Sequence, residues 1–136
     1  MIGRTAGFMR NSDAPGLIQR DDIHEAYALY LKRYLDEYKN AGVNIVRMTL
    51  QNEPHVEGQF LFTYPCNGMN STQQAGFLKN WIGPLLRKHH PEIEIYIHDD
   101  QKNDMIDAVK AILNDPGAAP FVTGVAFHWW GVCYNG

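Results

Sequence analysis

The sequence predicts an α/β fold in which helices cross between the strands of a parallel sheet, as in part of a (β/α)8 TIM barrel. Helical and strand-like segments alternate in the order helix, strand, helix, strand, helix, strand. Crossover helices between successive strands are what a parallel sheet requires. Each strand-like run is followed at once by polar or aromatic residues: Asn52-Glu53, His98-Asp99-Asp100-Gln101 and His128-Trp129-Trp130. In a (β/α)8 barrel the working residues gather at the carboxyl ends of the strands. A doubly wound sheet would gather ligands there too, but the absence of a glycine-rich phosphate loop argues against a nucleotide-binding fold. The chain has 136 residues, fewer than the roughly 200–250 of a whole barrel, so it reads as one piece of a single domain.

The elements follow in order. Residues 1–21 are rich in Gly, Pro, Asn and Asp, lack sustained periodicity and read as a loop. Asp22 then offers an N-cap, with Glu25 as its reciprocal partner. Apolar residues at 23, 27, 30, 31, 34, 35 and 38 form a helical stripe, and Gly42 stops it, which predicts a first helix over 23–41. Residues 44–50 are mostly apolar rather than alternating, which suits a parallel strand covered on both faces. Residues 55–70, with Gly58, Pro65 and Gly68, form a long loop; loops of this length in compact domains are usually functional. A second helix covers 71–89, and Pro84 within it should kink or interrupt it. The second strand is 93–97, after Pro91. A third helix over 103–114 should bury Ile106, Val109, Ile112 and Leu113, and Asp115-Pro116-Gly117 ends it. The third strand is 121–127, and residues 131–136 are loop-like.

Composition narrows the function. The net charge is −3, with no basic block, which argues against nucleic acid because its binders cluster Lys and Arg. No apolar stretch approaches the ~18 residues of a membrane span, and residues 1–10 lack the apolar core of a secretion signal. Cys66 and Cys133 make no disulfide framework and read as free thiols; no Cys/His spacing points to a metal. Asn70-Ser71-Thr72 matches the glycosylation acceptor pattern, and Asn70 reads equally as a helix cap.

Asn52-Glu53-Pro54 carries the most chemistry. Glycoside cleavage uses two carboxyl groups flanking the scissile bond, one of which protonates the leaving oxygen. That acid must be kept protonated near working pH by its surroundings. Glu53, directly after a core strand, is rigidly placed for the role. Asn52 can donate to a sugar hydroxyl, and Pro54 cannot continue the strand. The tripeptide reads equally as a polar turn after a strand. In His128-Trp129-Trp130 the flat aromatic faces suit stacking on sugar rings and the imidazole suits sugar hydroxyls, while capping of the core is the alternative use of the tryptophans. Asp99 and Asp100 are either a second source of carboxylate or caps of the following helix. His24, His55, His89 and His90 read as solvated.

Together these residues resemble the glucosylceramidase (acid β-glucosidase) branch of glycoside hydrolase family 30. The resemblance runs along nearly the whole chain. It is carried by Phe8-Met9-Arg10-Asn11, the helix from Tyr30 to Tyr38, Leu50-Gln51-Asn52-Glu53-Pro54, Tyr64-Pro65-Cys66-Asn67-Gly68 and Ile82-Gly83-Pro84-Leu85. The more specific stretches are His98-Asp99-Asp100-Gln101, Leu113-Asn114-Asp115-Pro116-Gly117-Ala118-Ala119 and Gly124-Val125-Ala126-Phe127-His128-Trp129-Trp130. The resemblance implies that Glu53 is the general acid/base, that Asn52 binds the glucose 2-hydroxyl, and that Tyr64, Gln101, His128 and Trp129 line the pocket. It also implies that the chain covers strands four to six, with residues 1–21 as the loop after strand three.

Two departures bear on specificity. Trp130 stands where the family usually has Tyr, and the loop between Pro54 and Tyr64 has its own sequence. The family's nucleophile, a Glu at the end of strand seven, has no counterpart here, so the isolated chain is expected to be inactive. The implied substrate is glucosylceramide, cleaved to glucose and ceramide without a metal or organic cofactor. The implied location is lysosomal or secreted, and an activator protein is a candidate partner. Hydrolysis of another β-glycan of the same family (β-1,6-glucan or β-xylan) is the alternative within the enzyme class. A catalytically dead sugar- or partner-binding product is the alternative outside it.

Overall fold

The computed structural model describes residues 16–54 and 68–129. Among them a parallel sheet has the strand order β1-β2-β3, with β1 Arg47–Thr49, β2 Glu94–Asp100 and β3 Gly124–Phe127. Helix α1 Asp21–Asn40 precedes β1, and the helices joining the strands are α2 Ser71–Phe77 and α3 Gly83–His89, then α4 Met105–Leu113. Parallel pairing in chain order with a helical crossover at each step is the arrangement the alternating pattern predicts.

α1 starts earlier than its cap signal indicated. Arg20 is extended and occupies the N-cap position without a side-chain cap bond. Asp22 lies inside the first turn, where its carboxylate accepts from the Arg20 Nε–H at 2.9 Å. That pairing takes the group expected to cap the helix. At the other end Gly42 (φ 79°) does stop it. Its N–H and that of Val43 return to the carbonyls of Lys39 and Tyr38, at 3.0 and 2.9 Å, a left-handed closure that glycine adopts without steric cost.

The second helical region runs from Ser71 to His89 with an interruption. Asn70 caps it: its Oδ1 accepts from the Gln73 N–H at 2.9 Å, and Gln73 Oε1 accepts from the Asn70 N–H at 2.8 Å. Leu78–Ile82 then widens into a π-helical turn before α3. Pro84, expected to interrupt the helix, lies in the first turn of α3, where its missing N–H is least costly. Gly83 is constrained by packing. A Cβ there would lie 2.5 Å from both the Leu78 carbonyl oxygen and the Phe121 ring.

Three expectations about burial and strand limits are corrected. β1 is shorter than 44–50; Val46 and Arg47 are exposed and Met48 and Thr49 only half-buried, so the cover on both faces that an apolar run implies is absent there. In α4 Ile112 is buried and Val109 partly so, but Ile106 and Leu113 face outward. This helix packs on α2 and β2. The third strand begins at Gly124 because Ala119–Phe121 is a 3₁₀ turn. Pro120 lacks a ladder donor, and Asp115 holds the approach by accepting from the N–H groups of Gly117 and Ala118 at 2.9 and 3.3 Å. Lys79 donates to the same carboxylate at 2.6 Å and holds it below the usual carboxylate range.

The core lies between the sheet and the helices. Tyr27, Leu31 and Leu35 of α1 meet Phe77, Leu78, Ile82 and Leu86, with Ile95 and Ile97 of β2 beneath them. Leu17, from the segment read as loop, is buried there too, its N–H bonded to the Gly68 carbonyl at 3.1 Å. Two histidines read as solvated are not. His90 is buried, and its Nε2 lies 2.8 Å from Asp36 Oδ1. The His24 ring lies edge-on to Phe77 and Trp81, at centroid distances of 5.9 and 6.3 Å. Burial lowers its pKa below the ordinary 6.5, against a smaller opposing pull from Asp21. Among the described residues no helix is long and apolar enough to cross a membrane.

Candidate active site

The three strand ends converge. Glu53 follows β1, with Leu50 anchored below it through its carbonyl, which accepts from the Tyr27 hydroxyl at 3.2 Å. Glu53 is 7% exposed. Its backbone N–H donates to the Asp99 carbonyl at 2.9 Å, which ties the end of β1 to β2. Pro54, also buried, accepts from the Met69 N–H at 2.9 Å. His128 follows β3 and donates its N–H to the Asp100 carbonyl at 2.9 Å.

β2 runs past its expected end at Ile97 and includes His98, Asp99 and Asp100. The extension is irregular. Ile97, His98 and Asp100 pair with Val125, Ala126 and Phe127, so Asp99 is an extra residue, a bulge. His98 (φ 78°), Asp99 (φ 54°) and Glu53 (φ 50°) are all left-handed. That region costs a non-glycine residue roughly 1–3 kcal/mol and recurs at functional sites. All three lie at the same end of the sheet.

The side chains meet at the His128 imidazole. Its Nδ1 lies 3.1 Å from Glu53 Oε1 and its Nε2 lies 3.5 Å from Asp99 Oδ1. The second Asp99 oxygen accepts from the Thr49 hydroxyl at 2.6 Å. Neighbouring groups hold the turn itself. Buried His98 donates from Nε2 to the Gln101 carbonyl at 2.8 Å, and Gln101 donates its N–H to Asp100 Oδ1 at 2.7 Å. Neither aspartate caps the next helix, whose N-cap position is Asp104; that alternative is set aside by the geometry.

The remaining sequence candidates fall as follows. Gln101 is half-buried beside the cluster, Asn52 is exposed, and Trp129 is 85% exposed beyond His128. A tryptophan that open does not cap the core. Tyr64, Cys66, His55, Trp130 and Cys133 lie outside the described residues. Thr49 was not foreseen, because a hydroxyl within an apolar run carries no signal of its own. Its place on the strand leading to Glu53 is the trace that could have marked it.

A carboxylic acid shielded from solvent, fixed at its backbone and in contact with an imidazole is equipped to hold and pass a proton. Residues 5–133 match the glycosyl hydrolase family 30 TIM-barrel domain. The chain belongs to this family of glycosidases, and its parallel α/β architecture is that of a part of such a barrel. It is 30% identical to the lysosomal acid glucosylceramidase of Mus musculus over 94% of its own length and 24% of that protein's. It is 32% identical to an endo-1,6-β-D-glucanase of Aspergillus fumigatus over 79% of the chain and 20% of that protein. The crystal structure of SrfJ from Salmonella typhimurium superimposes with a TM-score of 0.80 at 26% identity, covering 93% of this chain and 28% of that one. The chain thus spans about a quarter of the length of the first of these relatives, 24%.

Proposed function

We propose that this chain supplies the acid/base part of a retaining β-glucosidase of the glucosylceramidase type, which hydrolyses glucosylceramide to glucose and ceramide. In this reading residues 1–136 are strands four to six of one barrel, with 1–21 as the loop after strand three. The observation that carries it is Glu53 itself, 7% exposed and 3.1 Å from His128 Nδ1 at the carboxyl ends of the strands. Glu53 protonates the departing ceramide oxygen, then takes a proton from the water that releases the sugar. Asn52, Tyr64, Gln101, His128 and Trp129 line the glucose site. The attacking carboxylate comes from a later strand. The location is lysosomal or secreted in this reading, and the mouse relative's name supports the first.

The isolated chain is therefore expected to show no hydrolysis of an aryl β-glucoside. Turnover by it that disappears in Glu53→Gln would contradict the division of roles. A second reading of the substrate, a β-1,6-glucan, draws on the 32% identity to the Aspergillus glucanase. Assaying a protein that carries this segment within a complete barrel against both glucosylceramide and a β-1,6-glucan separates the two. Preference for the glucan would overturn the glycolipid assignment and leave the role of Glu53 standing.

A further inference from the structure

The His128 imidazole lies between two carboxylates, and the two are differently held. Glu53 meets Nδ1 at 3.1 Å; Asp99 meets Nε2 at 3.5 Å and is itself fixed by the Thr49 hydroxyl at 2.6 Å. A neutral imidazole has one N–H to give. If it goes to Asp99, the Nδ1 lone pair faces Glu53 and can accept from the protonated acid. If it goes to Glu53, a lone pair faces the Asp99 carboxylate. The carboxylate that is anchored and ionised decides which.

The position of Asp99 is built by the backbone. The bulge between His98 and Asp100 inserts it as an extra residue in β2, and its left-handed φ of 54° is a conformation that a non-glycine side chain pays strain to adopt. Its carbonyl also takes the Glu53 N–H at 2.9 Å. One strained residue thus touches the acid through its backbone and the imidazole through its side chain.

Building on the acid/base reading of Glu53, we propose that Asp99 is a positioning residue: held by Thr49, it claims the Nε2–H of His128, so that Nδ1 is the atom that shares a proton with Glu53. Asp99 does not touch the sugar. It acts through the imidazole, as the orienting carboxylate of a relay does in general.

The tautomer of His128, read by nitrogen-15 NMR of histidine-labelled chain, tests this directly. His128→Gln identifies the signal. At alkaline pH, where an ordinary histidine is neutral, Glu53→Gln should leave His128 as the Nε2–H form, and Asp99→Asn should reverse it to Nδ1–H, facing the one remaining carboxylate. Free histidine itself favours Nε2–H, so the reversal is the decisive result. The same tautomer in both variants, or a His128 signal matching that of the denatured chain, would overturn the proposal. In the complete-barrel protein Thr49→Val and Asp99→Asn should each lower kcat at least about tenfold with little change in KM, a modest share of the ~10²–10⁴-fold of acid–base catalysis. Thr49→Ser should restore the rate, and Asp99→Asn should cost nothing further in a His128→Phe background. Additive losses would overturn action through His128. The NMR reversal without any kinetic effect would uphold the coupling and contradict the acid/base role of Glu53 instead.

Discussion

His128 Nδ1 lies 3.1 Å from Glu53 Oε1, across 75 positions of sequence (128 minus 53) and from the far side of the central strand. The contact exists because β1 and β3 both pair with β2 in parallel, which brings their carboxyl ends to one edge. Its consequence is a carboxyl group that is shielded from water and has an imidazole beside it.

Glu53→Gln should remove that function while keeping the side-chain volume. In the complete-barrel protein kcat for a substrate with a poor leaving group should fall by about 10²–10⁴-fold, the usual share of acid–base catalysis. Thermal unfolding measured alongside should change little. A loss of rate matched by a loss of folded protein would assign Glu53 a structural role.

Trp129 is 85% exposed, so Trp129→Ala should alter stability by no more than about 0.5 kcal/mol. If the ring stacks on substrate, KM should rise severalfold. Urea unfolding and steady-state kinetics on the same variant separate sugar stacking from any support of the fold.

Gly83→Ala should destabilise the chain. The new Cβ would meet the Leu78 carbonyl oxygen and the Phe121 ring at 2.5 Å, and overpacking of this kind costs typically about 1–3 kcal/mol. The midpoint of urea unfolding should fall. Combining it with Phe121→Ala should recover part of the loss relative to the sum of the two, because the clash with the ring is gone.

The sign of the His24 effect follows from its lowered pKa, caused first by burial against Phe77 and Trp81. Below the ordinary value of 6.5 the unfolded chain takes up the proton more readily than the folded one. Stability is therefore full above 6.5 and falls as pH drops from there through the folded value. His24→Phe should flatten stability against pH in that window. A slope unchanged in this variant would assign it to other groups.

How far the sequence could be read depends on whether the determinant was local. The alternation of elements, the Asn70 cap, the Gly42 stop and the break near Pro84 are written in neighbouring residues, and the structure has them. The two strand ends that bring Glu53 and His128 together were legible for the same reason. What was not legible depends on distant partners. His90 read as solvated because nothing near it announces Asp36, which is 54 positions away. Ile106 and Leu113 read as buried because an apolar stripe does not state whether anything covers it. The bulge at Asp99 depends on the register between β2 and β3, and Thr49 matters only because that bulge turns a carboxylate toward it.

The most direct test of the central claim is azide rescue of Glu53→Ala in the complete-barrel protein, using an aryl β-glucoside whose leaving group departs without protonation. The first step then proceeds, and the second stalls for lack of a base to activate water. Azide needs no such base. The account predicts that added azide restores turnover and that the product is the β-glucosyl azide. No acceleration by azide, or an α-configured product, would contradict the assignment of Glu53 as the acid/base of a retaining enzyme.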